Sequence, residues 1–172
     1  MRCGVIVFPG SNCDRDVMVA LKNITRKNPK LLWHKDTEIE NLDLIVIPGG
    51  FTFGDYLRCG ALASNSPIIK SLRDHASRGG AILGICNGFQ ILTETGLLPG
   101  ALIKNKNLKF LCKDVDIIIQ RTLQSPFTSG FPPNSKINLP IAHNEGNYFI
   151  SDEGLARLDY NGQIAFKYGT NN

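Results

Sequence analysis

The 172 residues contain no C-x-x-C pair, no run of five basic residues and no low-complexity tract. The first absence, with an odd number of cysteines (Cys3, Cys13, Cys59, Cys86 and Cys112), argues against a disulfide framework or zinc site and for a reducing cytoplasm. No metal is expected. The second leaves the net charge of +4 scattered along the chain, with no footprint for nucleic acid or lipid. The apolar run that follows Met1 is broken by Pro9-Gly10, well short of a signal core or membrane span, and reads as a buried strand. There is no internal repeat and no linker, and the length suits one domain with a full core, so residues 1–172 are read as a single domain. Nor is there a Gly-x-x-x-x-Gly-Lys-Ser/Thr loop to cradle a nucleotide.

What is present has a globular balance, 42% hydrophobic and 20% charged. Short β-branched runs over Val5 to Phe8, Leu31 to Trp33, Leu44 to Ile47 and Ala81 to Ile85 predict buried strands. Helix-compatible stretches begin after Ser11-Asn12-Cys13-Asp14, after Tyr56, after Ser66-Pro67 and after Cys86-Asn87. Such alternation predicts an α/β fold, a three-layer sandwich with a mostly parallel central sheet. Beyond Pro99 the strands (Leu108 to Cys112, Val115 to Ile119, Ile137 to Ala142) look antiparallel or irregular, interrupted by a Pro/Ser/Gly segment at Ser125 to Ser135. A short helix around Glu153 to Leu158 and a strand around Gln163 to Tyr168 follow.

Two segments carry chemistry. Gly84-Ile85-Cys86-Asn87-Gly88 is a G-x-C-x-G step from an apolar strand into a helical pattern, the cysteine form of a nucleophile elbow. Its flanking glycines remove side chains that would collide in a sharp turn, and the following helix offers free N–H groups and a positive dipole end to a thiolate. The second segment, Pro48-Gly49-Gly50-Phe51, ends a strand in a glycine pair that can expose backbone donors at the same sheet edge. Acyl transfer needs two donors aimed at the tetrahedral oxyanion, and one from this loop with the N–H of Asn87 can supply them, each contributing about 3 kcal/mol. Taken singly, Cys86 reads equally as a small core residue, and the glycine pair as a plain turn. Gln90, one turn after Cys86, shares its helix face.

These segments, with Phe8-Pro9-Gly10-Ser11-Asn12-Cys13-Asp14, Gly54-Asp55-Tyr56-Leu57-Arg58-Cys59-Gly60 and Ala142-His143-Asn144-Glu145-Gly146-Asn147-Tyr148, resemble the class I, triad-type glutamine amidotransferases. Within that class the chain is similar to the glutaminase subunits of phosphoribosylformylglycinamidine synthases, which serve purine biosynthesis. The resemblance implies a flavodoxin-like amidotransferase domain and Cys86 attacking the side-chain amide of glutamine. It further implies an oxyanion hole at Gly50 and Asn87, and a glutamine pocket lined by Gly49, Phe51, Gln90, Glu145, Gly146 and Tyr148. The implied partners are a large synthetase subunit, which would carry ATP and Mg, and a small accessory subunit.

The chain departs from the family in one respect. Class I enzymes pair the cysteine with His and Glu in a His-Pro-Glu-like segment near the C-terminus, and this sequence has only His34, His75 and His143, with no such segment before Asn172. The expectation is therefore a domain lacking the His/Glu segment of the triad, with impaired turnover. His143-Asn144-Glu145 matches the family's interior segment rather than that dyad, so His143 is expected to be structural or pocket-lining. A non-catalytic subunit that supports the synthetase, and another cysteine hydrolase with the same elbow, remain as alternatives.

Overall fold

A computed structural model of the protein describes residues 1–120 and 125–169. It divides into two compact units, Met1–Pro99 and Gly100–Asn172.

The first unit is organised by four parallel strands: β1 (Cys3–Val7), β2 (Lys30–Trp33), β3 (Leu44–Ile47) and β4 (Ala81–Gly84), in the order β2-β1-β3-β4. Side chains alternate across a strand, so each of these apolar runs feeds two cores. Cys3, Val5, Leu44 and Val46 face α1 (Asp14–Thr25), which answers with Val17, Met18 and Leu21 at helical spacing. Ile6, Phe8, Ile45 and Ile47 face the opposite side. There α2 (Ile68–Ser77) contributes Ile68, Ile69 and Leu72, and α3 (Asn87–Glu94) contributes Ile91 and Leu92. Full burial of one such side chain is worth about 1.5–3 kcal/mol, so both faces must be covered. The result is the expected three-layer, flavodoxin-like α/β arrangement.

Helix α2 begins as its Ser-Pro pair predicts: Ser66 is extended and Pro67 already helical. The Ser66 hydroxyl is spent on His34 Nδ1 at 3.3 Å rather than on a cap. The helix expected after Tyr56 does not form. Leu57 and Gly60 have φ of 69° and 83°, and the chain runs through turns to one 3-10 turn at Ala63–Asn65. The physical reason lies in α3. Arg58 pairs with Glu94 at 2.8 Å, and a Cβ at Gly60 would lie 2.9 Å from the Ile91 nitrogen, so this segment is pressed flat against that helix.

The second unit is antiparallel, as expected. Strand β5 (Ala101–Ile103) pairs with β8 (Asn147–Phe149), while β6 (Leu111–Ile119) is flanked by β7 (Lys136–His143) and β9 (Phe166–Tyr168). The two strands expected over Leu108 to Ile119 are one. Leu108 sits in the preceding turn with φ 56°, and the polar Lys113-Asp114 step faces water without interrupting the ladder. Helix α4 (Asp152–Tyr160) is capped by Ser151, whose hydroxyl accepts from the Gly154 N–H at 3.1 Å. Among the described residues no helix is long and apolar enough to cross a membrane.

Candidate active site

The turn from β4 into α3 has the geometry the G-x-C-x-G spacing demands. Cys86 has φ 54° and ψ −113°, a region that costs a non-glycine residue on the order of 1–3 kcal/mol. The flanking glycines make room for it. A Cβ at Gly88 would collide with the Ile47 carbonyl oxygen, and one at Gly84 would lie 2.6 Å from Leu92 Cδ1 and 2.7 Å from the Gly88 oxygen. The Ile85 N–H extends the sheet ladder to the Ile47 oxygen at 3.0 Å, so the chain leaves the sheet only at the nucleophile. Cys86 is exposed. In the first turn of α3 the Gly88 N–H donates to the Ile85 oxygen and the Phe89 N–H to the Cys86 oxygen, whereas the Asn87 N–H has no acceptor among the described residues.

The glycine pair lies directly beside the elbow. A Cβ at Gly49 would stand 3.3 Å from Cys86 Cβ, a tight approach, and 3.5 Å from Cys13 Sγ, an ordinary contact. Gly50, with φ 152°, faces Ser11 across an isolated antiparallel bridge. Three further bonds brace the loop: Phe51 N–H to the Gly10 oxygen at 3.0 Å, Asn12 N–H to the Gly49 oxygen at 3.4 Å and Phe53 N–H to the Pro9 oxygen at 2.7 Å. The Gly50 N–H itself has no acceptor among the described residues. Two backbone donors, at Gly50 and Asn87, are thus left over at the strand ends around Cys86, which is what an oxyanion site requires.

The brace explains the Phe8-to-Asp14 signature, to which the sequence alone assigns no role. Gly10 has φ 86° and its Cβ would collide with the Phe51 oxygen, so this turn and the glycine-pair loop fit only each other. Sequence reasoning also missed the Asn87 side chain. It is 1% exposed, accepts from the Thr52 N–H at 3.1 Å and donates to Asp55 Oδ1 at 3.1 Å and Gln90 Oε1 at 2.9 Å. Gln90 is half-buried on α3, with its carboxamide oxygen turned to Asn87, and Phe51 is 62% exposed on the loop.

The histidines are otherwise engaged. His34 is buried beneath Phe53, with ring centroids 5.4 Å apart, and burial followed by the Lys35 charge pushes its pKa down. His75 lies with Nε2 3.3 Å from the Ala81 oxygen, packed over Gly80. In the second unit, Asn105 Nδ2 donates to the Lys109 and His143 backbone oxygens. That leaves Asn105 Oδ1 to accept from Gly146 N–H at 3.1 Å and His143 Nδ1–H at 2.9 Å. The tautomer so fixed puts the lone pair on Nε2, which is buried with no partner among the described residues, and burial lowers the His143 pKa. That enclosure keeps Nε2 from solvent. Gly146 is required here because a Cβ would strike the His143 ring. Half-buried Glu145 precedes it, and Tyr148 pairs with Leu102 across β5 and β8, its hydroxyl 2.5 Å from where a Gly100 Cβ would stand. Burial pushes the Tyr148 phenol up. Among the described residues no group of three or more His, Cys, Asp or Glu side chains gathers as a metal site.

The model of the CobB/CobQ-like glutamine amidotransferase domain matches residues 1–172. Phosphoribosylformylglycinamidine synthase subunit PurQ of Roseobacter denitrificans is 56% identical over 169 residues, 98% of this chain and 75% of the relative. The subunit of the same name from Synechococcus sp. (strain JA-2-3B'a(2-13)) is 53% identical over 168 residues, 98% of this chain and 74% of the relative. Among solved structures, PurLQS from Thermotoga maritima matches with a TM-score of 0.85 and 42% identity, covering 99% of this chain and 75% of the other.

Proposed function

The chain belongs to the CobB/CobQ-like glutamine amidotransferase domain family, and from that premise we propose that Cys86 is the nucleophile of a glutaminase, with the Gly50 and Asn87 N–H groups as its oxyanion hole. The protein is the glutaminase subunit of a phosphoribosylformylglycinamidine synthase, working with a synthetase subunit in purine biosynthesis. In the reaction the Cys86 sulfur adds to the side-chain carbonyl carbon of glutamine, and the resulting oxyanion lies between the two free N–H groups. The proton given up by the Cys86 thiol goes to the departing nitrogen as collapse of the adduct breaks the C–N bond and releases ammonia, leaving a glutamyl thioester that water hydrolyses to glutamate and the free thiol. Ammonia passes to the synthetase, which would carry the ATP- and Mg-dependent step, with a small accessory subunit as a further partner. Gly49 and Phe51 on the loop and Gln90 on α3 are the proposed glutamine contacts of the first unit. Neither His34 nor His143 serves as the general base, since one is buried under Phe53 and the other has its free lone pair enclosed. Five free cysteines fit the reducing cytoplasm in which this pathway step would run.

The observation that carries the proposal is the strained, exposed Cys86 set between two sterically obligatory glycines beside unpaired backbone donors. Its test is Cys86→Ala in the assembled synthase, assayed with glutamine and, separately, with ammonium. Glutamine-dependent product should disappear while ammonium-dependent product persists. Retained glutamine use would instead favour a subunit with only a supporting role.

A further inference from the structure

The Asn87 carboxamide ties helix α3 to the loop that carries Gly50. Its Oδ1 must face the Thr52 N–H, which can only donate, and its Nδ2 must then face the acceptors Asp55 Oδ1 and Gln90 Oε1, so the orientation of the amide is unambiguous. Two successive peptide groups after Gly50 are consequently pinned. The Phe51 N–H is held by the Gly10 oxygen and the Thr52 N–H by Asn87, and the Gly50 N–H is left as the free donor. The loop needs such a hold. Phe53, Gly54, Asp55 and Leu57 all have positive φ, three of them without the freedom of glycine, so the segment would relax if released.

We propose that the Asn87 side chain is a positioning residue for the glutaminase reaction, orienting the Gly50 N–H toward the oxyanion while its own backbone supplies the second donor. One residue then sets both halves of the oxyanion hole, and the distance between them is fixed within a buried hydrogen-bond network rather than by loop packing alone. Only a carboxamide can fill this place, because the position must accept from a backbone N–H and donate to two oxygens. Aspartate would set a carboxylate against the Asp55 carboxylate and the Gln90 carbonyl. Leucine would leave the Thr52 N–H without a partner. The inference rests on the assignment of Gly50 and Asn87 as oxyanion donors made above.

The test uses the full-length protein with its synthetase subunit. Asn87→Asp and Asn87→Ala should lower kcat for glutamine by about 100-fold, the loss typical of one oxyanion donor, with KM changed only a few-fold. In the double variant Asn87→Asp/Asp55→Asn the donors and acceptors are exchanged, so at least about tenfold of the lost kcat should return, as expected of two contacting groups in one network. The rate of Cys86 alkylation by iodoacetamide, a reaction that develops no oxyanion, should stay within about twofold of wild type in Asn87→Ala, which adds no charge beside the thiol, since only oxyanion stabilisation is altered there. Unchanged kcat in the single variants, absence of recovery in the double variant, or alkylation of Asn87→Ala falling in step with kcat would each overturn the proposal. Glutamine turnover surviving Cys86→Ala would instead overturn the underlying assignment.

Discussion

Cys86 and Cys13 approach the same glycine, yet their environments differ. Cys86 is exposed on the elbow, while Cys13 is half-buried at the start of α1 with its thiol donating to Asn12 Oδ1 at 3.3 Å. Burial, then the charges of Asp16, Cys86 and Asp14, push the Cys13 pKa up. A helix N-terminus ordinarily favours a thiolate, but here desolvation and nearby carboxylates oppose it. A limiting amount of iodoacetamide at pH 7.5 should therefore label Cys86 before Cys13, with Cys13 gaining only as the pH is raised. Peptide mapping by mass spectrometry reads the order. Labelling of Cys13 first would mean that access to the elbow is worse than its exposure indicates.

At the scale of elements, the elbow depends on how closely α3 can approach β3. Gly88 sets that distance, because any side chain there meets the Ile47 carbonyl, a rigid backbone atom within the sheet. Gly88→Ala should destabilise the protein by about 1–3 kcal/mol, the usual cost of overpacking, and should abolish glutamine turnover by shifting Cys86. Gly130→Ala is the control: a Cβ there meets nothing within 4 Å, and the change should stay within about 0.5 kcal/mol. Urea unfolding midpoints for the two variants check both statements. The parallel sheet and the elbow are legible in the sequence because buried strands read as continuous apolar runs, and because G-x-C-x-G states its own steric requirement. β5 and β8 are not, since three residues each are too few to show a period. The absence of a helix after Tyr56 and the hold of Asn87 on Thr52 are equally hidden. Both arise from contacts between segments more than 30 residues apart in sequence, Arg58 with Glu94 and Thr52 with Asn87, that no local pattern encodes.

For the whole molecule, acid sensitivity should report whether the two units unfold together. His34 in the first unit and His143 in the second both have a pKa lowered by burial. A histidine held neutral in the native state binds fewer protons there than in the unfolded chain, so stability rises with pH through this region and is lost as pH falls below the unfolded value of about 6.5. The carboxylates of Glu40, Asp43 and Asp116 have pKa values lowered by hydrogen bonds to Lys30, to the Arg2 backbone and to Asn138, so they withdraw support only at lower pH, as they protonate near or below 4. Urea midpoints should be flat between pH 7 and 8 and decline from about 6.5 downward, with the histidines responsible for the first part of the fall. If residues 1–172 act as one amidotransferase domain, a single transition will be seen. His34→Gln and His143→Gln will then each flatten the upper part of its pH dependence. Two transitions, each answering to only one of the substitutions, would show that the parallel-sheet unit and the antiparallel unit keep separate stabilities, and that the elbow is stabilised by the first unit alone.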